Sequence, residues 1–233
     1  MDNIKKLLKC IHNFSNRKRI FMKYFDENFI EFLKELEKNN NREWFTQNKE
    51  RYEKYVKLPF SIFTGNLIEL VRDEDPEFCP DIKKAVYRIH RDIRFSEDKT
   101  PYKTHIAAAI SYGGRMDFES PGFYIEISAT HFTYYGGIYM LSKERLLKLR
   151  RFIITYKNEF NNLINEESFV KTFNKILGSE NKRLSPEFQK EASDFPLLFK
   201  KQFYFIAQYQ SNIILKPDFL NFIYDHYITG RRV

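Results

Sequence analysis

Residues 85–95 read Ala-Val-Tyr-Arg-Ile-His-Arg-Asp-Ile-Arg-Phe, and residues 102–112 read Tyr-Lys-Thr-His-Ile-Ala-Ala-Ala-Ile-Ser-Tyr. Upstream of this stretch the apolar residues recur with helical spacing. Within it they recur at every second position, which sends alternate side chains to opposite faces of a strand. One face of the first run carries Ala85, Tyr87, Ile89, Arg91, Ile93 and Phe95; the other carries Val86, Arg88, His90, Asp92 and Arg94. The connection Ser96–Lys99 is short and polar, with Pro101 just beyond, so the two runs are expected to pair as an antiparallel hairpin. Setting Ala85 against Ile110, Ile89 against Ile106 and Ile93 against Tyr102 gives a coherent apolar face, which a one-residue slip would scramble. The same register sets Arg88 against Ala107, His90 against His105, and Asp92 against Lys103 as a cross-strand ion pair.

Outward from the hairpin, Phe29, Phe32, Leu33 and Leu36 predict an amphipathic helix over 28–38, with Asp26 as N-cap and Asn39-Asn40-Asn41 as its stop. A second helix begins at Arg42 and carries Trp44, Phe45, Tyr52, Tyr55 and Val56 on one stripe. Pro59 then kinks it or opens a third helix. Residues 73–81 are acidic and hold two prolines, the signature of a loop. Gly113-Gly114 turns the chain, and residues 122–128, 131–135 and 202–209 are expected to be strands. Ser142 caps a helix running to about residue 160, a further helix spans about 167–177 with Gly178 as its stop, and Pro217 opens a last helix ending at Gly230. Residues 179–196 read as irregular. Helices, then strands, then helices predict an α+β fold, with a mostly antiparallel sheet flanked by N-terminal and C-terminal helices.

The 233 residues contain no repeat and no low-complexity linker, so one domain is expected over 22–233, preceded by a basic extension at 1–21. That extension holds Lys5, Lys6, Lys9, Arg17, Lys18 and Arg19 against Asp2, more than half of the net charge of +8. The remainder is an ordinary surface, and the basic pI is weak evidence for nucleic acid. The extension reads as a segment packed on the domain, a start outside the fold, or a membrane-surface or targeting element. No apolar run is long enough for a membrane-spanning helix. Cys10 and Cys79 form no Cys-x-x-Cys, so the chain reads as reduced and cytoplasmic. Twenty-four Phe, fifteen Tyr and one Trp imply a core of large rings.

The polar face of the hairpin is the unusual feature. It crowds Arg88, Arg94, Lys103, His90 and His105 together, with Arg91, Lys99 and Tyr102 nearby and only Asp92 as a carboxylate inside the strands. Such crowding is unfavourable unless something negative sits among the cations. Either carboxylates from elsewhere, Glu126 and Glu119 being candidates, fill that role, or an external anion does. Arginine forks suit phosphate and carboxylate. The expected binding residues for a small anionic or phosphorylated ligand are therefore Arg88, His90, Asp92, Arg94, Lys99, Tyr102, Lys103 and His105. Two alternatives stand beside this: nucleic acid on the same face, and a structural or interaction protein whose charges are solvated or paired internally. His90 or His105 is the candidate for proton transfer. No third ligand with diagnostic spacing joins them to make a metal site. No cofactor signature, phosphate loop or nucleophile elbow occurs, so the sequence names no reaction and no oligomeric state.

Two blocks carry a resemblance: Asn40-Asn41-Arg42-Glu43-Trp44-Phe45, and Arg91-Asp92-Ile93-Arg94-Phe95-Ser96 with Asp98-Lys99-Thr100-Pro101-Tyr102-Lys103-Thr104. With Gly122–Ile127 and Gly136–Met140 they resemble the domain-of-unknown-function family 2461 over residues 28–229. The resemblance implies a single domain and brings no reaction, ligand or catalytic residue with it.

Overall fold

Phe29, Phe32, Leu33 and Leu36 are all buried on one stripe of α1, Glu27–Lys38. In the computed structural model, which describes residues 19–76, 78 and 81–233, this helix begins at Asp26 as expected, but the Asp26 side chain caps no backbone N–H. One of its oxygens accepts from Asn28 Nδ2 at 3.2 Å and the other is buried without a partner among the described residues. Asn41 does cap its helix: its side chain accepts from Trp44 N at 2.9 Å and starts α2, Arg42–Gln47. A short α3, Lys49–Tyr52, and a π-helical turn, Glu53–Lys57, lead into α4, Leu58–Glu74. Pro59 sits in the first turn of α4, where a missing N–H costs nothing, so it opens a third helix. Most of the basic extension, residues 1–18, lies outside the described residues. Just after it, Asn221 brackets the Ile20 backbone, accepting from its N–H at 3.1 Å and donating to its carbonyl at 2.6 Å.

Four strands, β1 His105–Ser111, β2 Gly122–Ser128, β3 His131–Ile138 and β4 Phe203–Gln210, pair antiparallel in chain order. The register lines up Ala108, Ile125, Tyr134 and Ala207 across the sheet, and Ile106, Ile127, Phe132 and Tyr209 beside them. This inner face packs on the last helix, α10, Phe219–Gly230. The core is ring on ring: Phe219 stacks on Phe63 at 5.2 Å and meets Phe132 edge-on at 5.0 Å, and Phe173 lies 4.4 Å from Phe205. Each such pair adds about 0.5–1.5 kcal/mol beyond area burial. Gly136 and Gly137 serve this packing. A Cβ on Gly136 would lie 2.2 Å from the Phe205 ring, and Gly137 has φ +107°, where a Cβ would lie 2.3 Å from the Phe203 carbonyl oxygen. The arrangement is the single α+β domain expected, with an antiparallel sheet flanked by helices from both ends of the chain.

The hairpin differs from its expected form. Residues 82–85 make the short helix α5, Ile82–Ala85, and the rest of 85–95 is not a regular strand. Its pairing reduces to two isolated bridges, Val86 with Ala108 and His90 with Tyr102. Asp92 therefore does not face Lys103, nor His90 His105. The reason is local. β1 is fixed by seven pairs to β2, whereas the tip is drawn into its own polar turn, in which Arg91 bonds the side chains of Asp98 and Thr100. Downstream, the helix from Ser142 divides into α6, Lys143–Thr155, and α7, Lys157–Ile164. The helix α8, Glu167–Phe173, stops four residues short of the expected end, at Asn174 with φ 66°. The supposedly irregular 179–196 contains α9, Pro186–Asp194, which starts at a Ser-Pro pair well suited to a helix N-terminus. Among the described residues no helix is long and apolar enough to cross a membrane.

Candidate functional site

The two sequence blocks converge on one point, the backbone of Tyr102. Asn40 donates from Nδ2 to the Tyr102 carbonyl at 2.9 Å and accepts from the Tyr102 N–H at 3.0 Å, as a neighbouring strand would. The Tyr102 ring is buried and stacks on Phe45 at 4.0 Å. Asn39 and Asn41 bond the adjoining helix ends, but Asn40 clamps the hairpin to the helices.

This clamp divides the expected binding residues into two groups. Beyond it, at the tip, the cations carry their own acceptors. Arg94 makes a bidentate contact with Asp92 at 2.9 and 2.7 Å, and the guanidinium holds the Asp92 carboxyl down at about 2. Backbone and side-chain bonds from Thr100, with Arg91 beside it, hold Asp98 at about 2 as well. Lys99 donates to the Ile93 carbonyl at 3.1 Å. His90 is exposed, and its ring lies 5.1 Å from that of Tyr102. Tyr102 itself belongs to the core.

On the other side of the clamp, Lys103 and His105 run onto the outer face of the sheet. The register places His105, Ala107, Ala109 and Ser111 in line with Ser128, Glu126, Tyr124 and Gly122, then with Thr133, Tyr135 and Gly137. Glu126 lies in the middle. It accepts from Tyr124 Oη at 2.7 Å and stands 3.6 Å from His105 Nε2. Lys103 Nζ lies 4.8 Å over the Tyr87 ring. Burial, and next the charge of Arg88, lowers the Lys103 pKa against the pull of Glu126. Burial likewise lowers His105, which favours the neutral ring. The Tyr124 hydroxyl is pushed up by burial and by Glu126, so it stays a donor. Among the described residues neither Arg88 nor Lys103 is hydrogen-bonded to a carboxylate, unlike Arg91 and Arg94. Glu119, the other acid considered as a neutraliser, pairs instead with Arg145 at 3.2 Å.

Next to this cluster the outer face opens into a cleft of about 350 Å³. Its floor is made by small residues, Ala109, Gly122 and Gly137, and its sides by Tyr87, Tyr124, Tyr135, Tyr139 and Tyr204. Tyr87, Tyr124 and Tyr135 meet successively edge to face, at 5.9 and 5.5 Å. The Tyr87 hydroxyl is tied to the Arg115 carbonyl at 3.0 Å. The wall from Gly113 to Ser120 is braced by Asp117, which accepts from the Gly113 and Ser120 N–H groups, each at 3.0 Å. Rings held by their neighbours in this way form a preformed slot rather than a mobile surface. Among the described residues no group of three His, Cys, Asp or Glu side chains could hold a metal ion.

The residues that sequence reasoning missed are the tyrosines. Tyr124 and Glu126 were visible as the polar side of an alternating strand, but Tyr87, Tyr135 and Tyr204 join them only through strand order. Among curated proteins none matches the chain. The model of a conserved hypothetical protein family, DUF2461, matches residues 28–232, which span α1, the Asn40 clamp, the whole sheet and α10. The chain is therefore a member of the DUF2461 family.

Proposed function

We propose that the chain binds a small anionic or phosphorylated molecule carrying a ring, on the outer face of the sheet. Lys103 and Arg88 meet the negative group. Tyr87, Tyr124 and Tyr135 take the ring, and His105 and Glu126 orient polar substituents. The observation that carries this reading is the contrast between the two halves of the basic segment: Arg91 and Arg94 at the tip each hold a carboxylate, whereas among the described residues Arg88 and Lys103 bond none, and Lys103 lies over the ring of Tyr87, which lines the aromatic cleft. A concave slot of this size suits a small molecule better than a polymer, which disfavours nucleic acid as the ligand of the same cations. Two cysteines, Cys10 and Cys79, make no disulfide framework, which favours a reducing, cytoplasmic setting for such a ligand.

The test is calorimetric titration with inorganic phosphate, a nucleoside monophosphate, a hexose phosphate and benzoate. At least one ring-bearing anion is expected to bind, more tightly than phosphate alone. Lys103→Ala should weaken it at least about tenfold, the loss of one charge-assisted bond of about 1.5 kcal/mol. Arg94→Ala should leave it unchanged. Binding by none of the probes, or equal losses in the two variants, would refute the proposal.

A further inference from the structure

The inner side of the sheet holds a second cavity, of about 360 Å³, walled by Phe123, Ile153, Ile176, Phe203 and Phe205. An apolar void of about 150 Å³ already suffices to bind benzene in a protein core, and interiors are otherwise packed to crystal density. One polar group faces it from the lining. Tyr134 is 2% exposed, and among the described residues its hydroxyl makes no hydrogen bond. That oxygen is not sealed off from solvent as the unpartnered Thr64 Oγ1 is, so it opens towards the cavity. Apolar walls around an accessible hydroxyl donor suit an occupant with an apolar body and a hydrogen-bond-accepting end.

The lining also supplies a charge. Arg231 lines the same cavity with its side chain 30% exposed, lying over the Tyr227 ring at 5.4 Å and held to Glu74 only loosely, at 3.4 Å. We propose that this cavity is a binding site for an amphiphilic carboxylate of medium chain length. The chain lies among the phenylalanines and isoleucines, and the carboxylate accepts from Tyr134 and pairs with Arg231. The site lies across the sheet from the outer-face cleft, separated from it by Gly122, Gly136 and Gly137, and does not depend on the ligand proposed there.

The experiment titrates the full chain with decanoate below its micellar concentration, by calorimetry, with decanol as the uncharged comparison. Saturable binding of decanoate at one site per chain is expected, with decanol at least about fivefold weaker. Tyr134→Phe keeps the ring and its packing and should weaken decanoate about tenfold. Leu149→Trp, a half-buried lining residue enlarged to fill the space, should abolish binding while circular dichroism shows the fold intact. Lys103→Ala should bind decanoate like the parent chain. No saturable binding, equal affinity for decanol, or undiminished binding in both Tyr134→Phe and Leu149→Trp would overturn the assignment.

Discussion

Replacing Asn40 by Ala removes both bonds to the Tyr102 backbone, at 2.9 and 3.0 Å. Each bond contributes about 1 kcal/mol net. Because Tyr102 is buried, its N–H and C=O are left without full access to water, which adds about 1–2 kcal/mol. Asn40→Ala is thus expected to cost about 3 kcal/mol in urea unfolding. Asn40→Asp keeps the acceptor but turns a carboxylate oxygen towards the Tyr102 carbonyl, so its deficit should be of similar size at neutral pH. That deficit should shrink as pH falls below about 4, where a protonated Asp can again donate to the carbonyl. Amide exchange supplies the local readout. The Tyr102 N–H should lose protection in both variants, while the Ile125 N–H, in the middle of the sheet, should lose only what the global stability change requires. An Asn40→Ala cost below about 0.5 kcal/mol, or an Asn40→Asp deficit that does not change with pH, would refute the clamp.

Thr64 is fully buried on α4 and its Oγ1 has no partner among the described residues, so Thr64→Val should raise stability by about 1 kcal/mol in the same assay. Burial lowers the pKa of His226, whose Nε2 meets Tyr209 Oη at 2.7 Å and whose Nδ1 donates to the Phe222 carbonyl at 2.7 Å. Above pH 6.5 both folded and unfolded chains hold this ring neutral. Below it the unfolded chain takes the proton first, so stability should fall with falling pH by up to about 1.4 kcal/mol per unit, a slope that His226→Gln should reduce in urea unfolding series between pH 5.5 and 7.5.

Much of the fold was legible along the chain, because the signals are local. The spacing of Phe29, Phe32, Leu33 and Leu36 made α1, the Ser142 cap placed the start of α6, and alternation marked β2 and β3. Alternation failed at 85–95, where it was real but not decisive. Arg91 found Asp98 and Thr100 within its own loop, and Asn40, some sixty residues away in sequence, replaced a strand partner for Tyr102. The α9 helix was missed although Ser185-Pro186 announced it, since a short and weakly apolar helix gives little periodic signal.

The amino-acid order alone settled which residues are apolar, how often they recur and where charge is concentrated, because periodicity and composition need no distant partner. It therefore fixed the α+β class and picked out the basic segment. Which of those cations are neutralised depends on side chains that meet only after folding. Arg94 turned to Asp92, while Lys103 came to lie beside Tyr87 and Glu126, which belong to other segments. Electrostatic neutralisation acts over a few ångströms in space rather than along the sequence, so only the tertiary structure could separate the self-paired tip from the sheet face where, among the described residues, Lys103 bonds no carboxylate.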